Sequence, residues 1–170
     1  CRALDTPAPA SVRLNPDKGA EAPSSERVPW SEWGYYLPER PLFTLDPAFH
    51  AGAYYVQEAS SQFVGRLLRG EALQGGRILD LCAAPGGKTT LYASIAGPEG
   101  CVVANEVDRR RVQTLADNVR KWGLGNVAVT TDTPDRFGAL EGWFDVVAAD
   151  APCSGEGMFR KMPEARGEWS

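Results

Sequence analysis

The stretch Arg77-Ile-Leu-Asp-Leu-Cys82-Ala-Ala-Pro85-Gly86-Gly87-Lys88, followed by Thr89 to Ala96, decides the fold. A short apolar run ends in a proline-glycine turn and gives way to residues with helical spacing, so the segment predicts strand, glycine turn, helix. Downstream, Cys101 to Glu106 reads as a second strand. Asp108 to Trp122 then sets Val112, Leu115, Ala116 and Val119 on one helical face, with Gly123 as the stop. Asn126 to Thr131 reads as a third strand. Trp143 to Ala149 is a fourth, nearly all apolar, as expected of a central parallel strand covered on both faces. The alternation βαβαβ(α)β implies an α/β protein of Rossmann-like architecture, with a doubly wound, mostly parallel sheet.

Upstream the pattern is weaker. Gln57 to Arg69 predicts a helix, because Ala59, Phe63 and Leu67, with Val64 and Leu68 beside them, recur at helical spacing. Val28 to Tyr55 carries two tryptophans, four tyrosines and several prolines, which suits an irregular segment covering a domain. Arg2 to about Ser25, rich in Pro, Ala and Ser, reads as a linker. The expected division is residues 1–27 as linker or remnant of an N-terminal domain, and 28–170 as the catalytic domain.

Bulk properties narrow the function. With 170 residues the chain is long enough for one ordinary domain. Its 43% hydrophobic and 24% charged residues lie near globular averages, which excludes disorder. No apolar run long enough to span a bilayer and no secretory signal is visible, so a cytoplasmic protein without membrane contact is the default. The four cysteines, at 1, 82, 101 and 153, form no C-x-x-C pair, and His50 is the single histidine, so no metal site is expected. A net charge of −4 argues against gripping nucleic acid by bulk charge.

In an open parallel sheet, ligands bind beyond the carboxyl ends of the strands. Those ends hold Cys82-Ala83-Ala84-Pro85-Gly86-Gly87-Lys88, then Glu106, Asp132 and Asp150. A Walker loop would need glycine where Cys82 stands, and the dinucleotide G-x-G-x-x-G is absent. A glycine turn without a phosphate signature fits a ligand whose reactive end is an amino acid. Glu106 lies 20 residues beyond Gly86 (106 − 86), the offset at which an acid accepts from ribose hydroxyls. Asp132 can accept from an adenine amino group. Together these contacts describe an adenosine without phosphates, and S-adenosyl-L-methionine is the leading cofactor candidate. Arg109-Arg110-Arg111 reads as a solvated helix face and stays outside the candidate site. Tyr35, Tyr36, Tyr54 and Tyr55 could stack on a base, but cover packing accounts for them better.

Asp150-Ala-Pro-Cys-Ser-Gly-Glu-Gly157, together with Cys82-Ala-Ala-Pro-Gly-Gly-Lys-Thr89, resembles the RNA cytosine-5 methyltransferases of the NOL1/NOP2/Sun type. Tyr55 to Ser61 and Arg13-Leu-Asn15 are similar to further segments of that family, and Trp30 to Leu37 most resembles its bacterial small-subunit rRNA branch. The resemblance implies a thiolate that adds to carbon 6 of cytosine so that carbon 5 can attack the cofactor's methyl group. It places that nucleophile in a T-C-S/T segment, which these residues lack, so the chain is expected to be cut off before it and inactive alone. Cys153 takes the second role, assisting product release. Asp150 meets the target base, and Lys88 stands in or near the active site. The implied partner is RNA, rRNA favoured over tRNA, and a monomer is expected. A flipped or looped base would have to enter the site.

Four rivals follow from the same residues. Enzymes that methylate an exocyclic amine carry an N/D-P-P-Y/F segment where this chain has Asp150-Ala-Pro-Cys153. A nicotinamide dehydrogenase shares the fold but needs the missing glycine loop. A noncatalytic module binding S-adenosylmethionine or RNA, or a tRNA cytosine-5 methyltransferase, remains the alternative.

Overall fold

The computed structural model describes residues 6, 8–68, 73–152 and 167. It holds two sheets. The antiparallel one has the order β2-β1-β3, built from β1 (Ser11–Leu14), β2 (Gly34–Tyr36) and β3 (Tyr54–Val56). The parallel one has the order β6-β5-β4-β7, from β4 (Arg77–Asp80), β5 (Cys101–Asn105), β6 (Val127–Thr130) and β7 (Val146–Ala148). From β4 the chain moves outward to β5 and β6, then returns to pair β7 with the opposite edge of β4. That reversal makes the carboxyl end of β4 a topological switch point, where such folds place their ligands.

Helix α4 (Gly87–Ala96) follows the glycine turn, and α5 (Arg109–Trp122) runs from β5 to β6. Asp108 caps α5 by accepting from the Arg110 amide at 2.9 Å, and Gly123 closes it in the left-handed region at φ 89°. Its buried stripe is Leu115, Val119 and Trp122, set at helical spacing. By contrast α4 buries Thr89, Thr90, Leu91, Tyr92, Ala93 and Ala96 together, because it packs on β4, β5 and α5 on one side and on the two short helices that precede β4 on the other, with the Arg13 side chain of β1 reaching Thr90. Ile78, Tyr92, Ala93, Ala96 and Val102 form one core cluster; Ala83, Ala84, Ala104, Leu115 and Val119 form another. Each large member contributes about 1.5–3 kcal/mol by leaving water.

Several expectations need correction. Ser11–Leu14, inside the stretch read as a linker, is the central strand of the antiparallel sheet. Its signal is hidden because the strand spans four residues and buries Arg13 completely. The segment read as irregular cover contains β2, the start of β3 and one helical turn, α1 (Pro47–His50), capped by Asp46 through the Ala48 amide at 2.9 Å. The helix expected from Gln57 is two short ones, α2 (Ala59–Gln62) and α3 (Val64–Leu67). They bury Ala59, Gln62 and Gly65, while Phe63 and Leu67 stand 46% and 71% exposed. Finally, β7 is an outer strand among the described residues, and Val147 is 56% exposed. Its apolar run reported a capacity for burial, not a position in the sheet. The last crossover, Pro134–Leu140, is a 3-10 helix.

Candidate active site

At the end of β4, Asp80 is 1% exposed and accepts from Thr89 Oγ1 at 2.7 Å. Burial pushes its carboxyl up to about 6, against the opposing pull of the Thr89 hydrogen bond and the Lys88 charge. The chain then turns through Gly86 at φ 106°, a conformation costly for any residue with a side chain. A Cβ on Gly87 would stand 3.2 Å from Tyr55 Cε1, so the first turn of α4 passes close beneath β3.

The turn is strapped to α5 at several atoms. The Ala84 amide donates to Glu106 Oε2 at 3.3 Å, and the Asp108 amide to Glu106 Oε1 at 3.0 Å. Arg111 pairs with Glu106 at 3.3 Å and donates to the Ala84 carbonyl at 2.7 Å. Asn118 donates to the Pro85 carbonyl at 2.8 Å. These bonds stiffen a loop whose backbone must keep one shape to receive a ligand.

A hollow of about 380 Å³ opens between this loop and the antiparallel lobe. Cys82, Ala83, Ala84, Pro85, Gly87, Lys88 and Asp150, all expected at the site, line it. The Lys88 ammonium and the Asp150 carboxylate form an ion pair across its rim. Burial, then the carboxylates of Glu106, Asp80 and Asp150, push the Cys82 thiol up, which keeps it protonated and unreactive. Gly86 forms the turn beside the hollow. Glu106 stands behind the loop with its side chain 3% exposed, engaged by the two amides and Arg111. Asp132 lies apart on the loop after β6; it accepts from the Thr133 amide at 2.9 Å and faces Arg136. Cys153 lies outside the described residues.

Several residues at the site were not expected there, among them Asp80, Gln57 and Arg111. Asp80 reads in sequence as one more strand residue; its signal was an acid in an otherwise apolar run next to the glycine turn. Gln57 lines the hollow from the end of β3. Arg111 belongs to a charge run set aside as solvated. Its neighbour Arg110 does pair with its own helix cap, Asp108, at 3.2 Å, while Arg111 reaches back to the loop.

A family model, 16S rRNA methyltransferase RsmB/F, matches residues 70–169. The chain belongs to that family. A second model, the N-terminal domain of 16S rRNA methyltransferase RsmF, matches residues 1–59. Ribosomal RNA small subunit methyltransferase F of Citrobacter koseri is 42% identical over 148 residues, which cover 84% of this chain and 31% of that protein. The chain thus spans about a third of the length of the curated relatives it matches. A methyltransferase homolog from Pyrococcus horikoshii superposes with a TM-score of 0.77 at 31% identity, over 96% of this chain and 57% of that one. NSun6 from the same organism, solved with SFG, gives 0.60 at 29% identity over 71% and 30%. The motif resemblance and the expected Rossmann-like methyltransferase fold therefore both hold.

The cofactor that goes with the RsmB/F family is S-adenosyl-L-methionine, and the hollow fits it. Asp80 and Asp150 stand in its lining beside Lys88, as suits a ligand that carries a sulfonium and an ammonium together with a carboxylate. No group of three or more His, Cys, Asp or Glu among the described residues could hold a metal, and no helix among them is long and apolar enough to cross a membrane.

Proposed function

We propose that this RsmB/F-family chain supplies the cofactor site and part of the catalytic pair of an enzyme that methylates carbon 5 of a cytosine in RNA. Small-subunit rRNA is favoured over tRNA, and the protein acts as a cytoplasmic monomer. The observation that carries the reading is the convergence of Asp80, Lys88 and Asp150 around one hollow at the switch point of the sheet.

The cofactor, when bound, supplies an electrophilic methyl group. This chain's residues do the rest of the binding and proton work available to them. Asp80, buried at the foot of the loop, is suited to the ammonium of the cofactor's amino-acid half. Glu106 and Asp132 are assigned to the adenosine; for Glu106 this requires Arg111 to share the carboxylate with the ribose. The Lys88 ammonium holds Asp150 at the rim, where that carboxylate can accept a hydrogen bond from the pyrimidine. Cys153, three residues beyond Asp150, is assigned to product release, with the nucleophilic cysteine contributed from a T-C-S/T segment that this sequence does not contain.

Isothermal titration with S-adenosylmethionine and with NAD tests the cofactor site: binding of the first alone is expected, and NAD binding would overturn the reading. An enzyme that also supplies the nucleophile should move a tritiated methyl group from the cofactor to 16S rRNA, recovered as 5-methylcytidine on nucleoside digestion. Recovery of label on an exocyclic amine would refute the cytosine-5 assignment.

A further inference from the structure

Arg13 is fully buried in β1, yet its guanidinium reaches the cofactor loop. Its NH2 group donates to the Gly87 carbonyl at 2.9 Å and to Thr90 Oγ1 at 2.7 Å, and its Nε donates to Gln57 Oε1 at 2.8 Å. The Trp122 ring lies 4.5 Å below the guanidinium carbon, and Tyr55 flanks it at 5.9 Å. Burial draws this guanidinium down to about 9, so it remains a cation at neutral pH. A charge this deeply buried is costly except as hydrogen bonds offset its lost hydration, and NH1 has no partner among the described residues.

Its effect on Gln57 is specific. An amide has one acceptor oxygen and one donor nitrogen. With Oε1 taken by Arg13, the orientation is settled and Nε2 is left as the donor. Gln57 is 7% exposed and lines the hollow, its Nε2 has no acceptor among the described residues, and it stands 3.5 Å from where a Gly87 Cβ would be. Gly87 is the first residue of the ten-residue α4, whose leading amides have no partner within the helix. A buried side-chain donor and a helix N-terminus therefore meet at one point of the hollow.

We infer that Gln57 Nε2 and the first amides of α4 receive the carboxylate of the cofactor's amino-acid half, and that Arg13 is a positioning residue that turns the Gln57 amide toward it. The inference rests on the methyltransferase reading. It assigns the buried arginine a task in ligand binding and links the antiparallel lobe to the cofactor loop.

The test compares S-adenosylhomocysteine with 5′-methylthioadenosine, which shares the nucleoside but lacks the amino-acid half, by isothermal titration. Gln57→Ala should weaken S-adenosylhomocysteine about tenfold, the loss expected for one hydrogen bond to a charged group, and leave methylthioadenosine within about twofold. Gln57→Glu, which keeps the shape but presents an acceptor to the carboxylate, should lose more. Arg13→Lys, which removes the Nε donor, should show the same selectivity for the intact amino acid. Equal weakening of both ligands, or unchanged S-adenosylhomocysteine affinity in the Gln57 variants, would overturn the inference. If Arg13→Lys binds like the parent while Gln57→Ala does not, the positioning role fails. Should it not fold, the two Gln57 variants still decide the carboxylate contact. Failure of the unaltered protein to bind S-adenosylhomocysteine would instead sink the methyltransferase reading itself.

Discussion

Asp80 shows how one buried group can report on ligand binding. Because burial raises its carboxyl to about 6, the folded state favours the protonated form. The stability this group contributes is full in acid below the ordinary aspartate range and is lost as pH rises through about 6. A bound ammonium reverses the preference, since it favours the carboxylate. Cofactor affinity should therefore rise between about pH 5 and pH 7 and binding should release protons, seen by titration calorimetry in buffers of differing ionisation heat. Asp80→Asn should flatten that profile; a flat profile in the unaltered protein would remove the ammonium role. At Gly86 the constraint is backbone geometry. With φ at 106° and Leu115 Cδ1 3.2 Å from any added Cβ, Gly86→Ala should cost about 1–3 kcal/mol in urea denaturation and weaken the cofactor as well.

The elements differ in how they hold the loop. Helix α5 does so with its apolar stripe, where Leu115 is wholly buried under Ala83, Ala84 and Ala104. Leu115→Ala should cost about 2–5 kcal/mol in denaturant unfolding, with the upper part of that range if the cavity does not collapse. The parallel half was legible in sequence because each element carries its own local signal: apolar strands of three to five residues, the turn at Gly86, and the Asp108 cap and Gly123 stop of α5. The antiparallel lobe was not. Its strands, Ser-Val-Arg-Leu, Gly-Tyr-Tyr and Tyr-Tyr-Val, hold no aliphatic run and are too short to show an alternation, and the residue that ties β1 to the rest is an arginine in a buried position. For the site the same division holds. Strand-end acids and the glycine turn could be found by position, but Gln57 and Arg111 are recruited by contacts across the fold that no local pattern encodes.

At the scale of the molecule, the two sheets behave as one unit because polar side chains cross between them. Asn15 donates to the Gly52 carbonyl at 3.0 Å and to the Trp122 carbonyl at 2.8 Å, while Lys18 reaches the Lys121 carbonyl at 2.8 Å. Asn15→Ala strands two buried acceptors and should cost about 2 kcal/mol or more. Hydrogen exchange of α4 and of β1 should follow a single opening in the unaltered protein and separate in the variant, with β1 exchanging first.

The strand order also sets a timetable for synthesis. β4 can pair with β5 soon after both have left the ribosome, but its other edge waits for β7, whose first residue, Val146, follows Asp80 by 66 positions (146 − 80). At translation rates of roughly 5–20 residues per second, that edge stays unpaired for about 3–13 s. During this interval the nascent chain presents an apolar strand beside an unfinished ligand pocket, and slowing translation between β6 and β7 should increase chaperone occupancy more than an equal pause before β4.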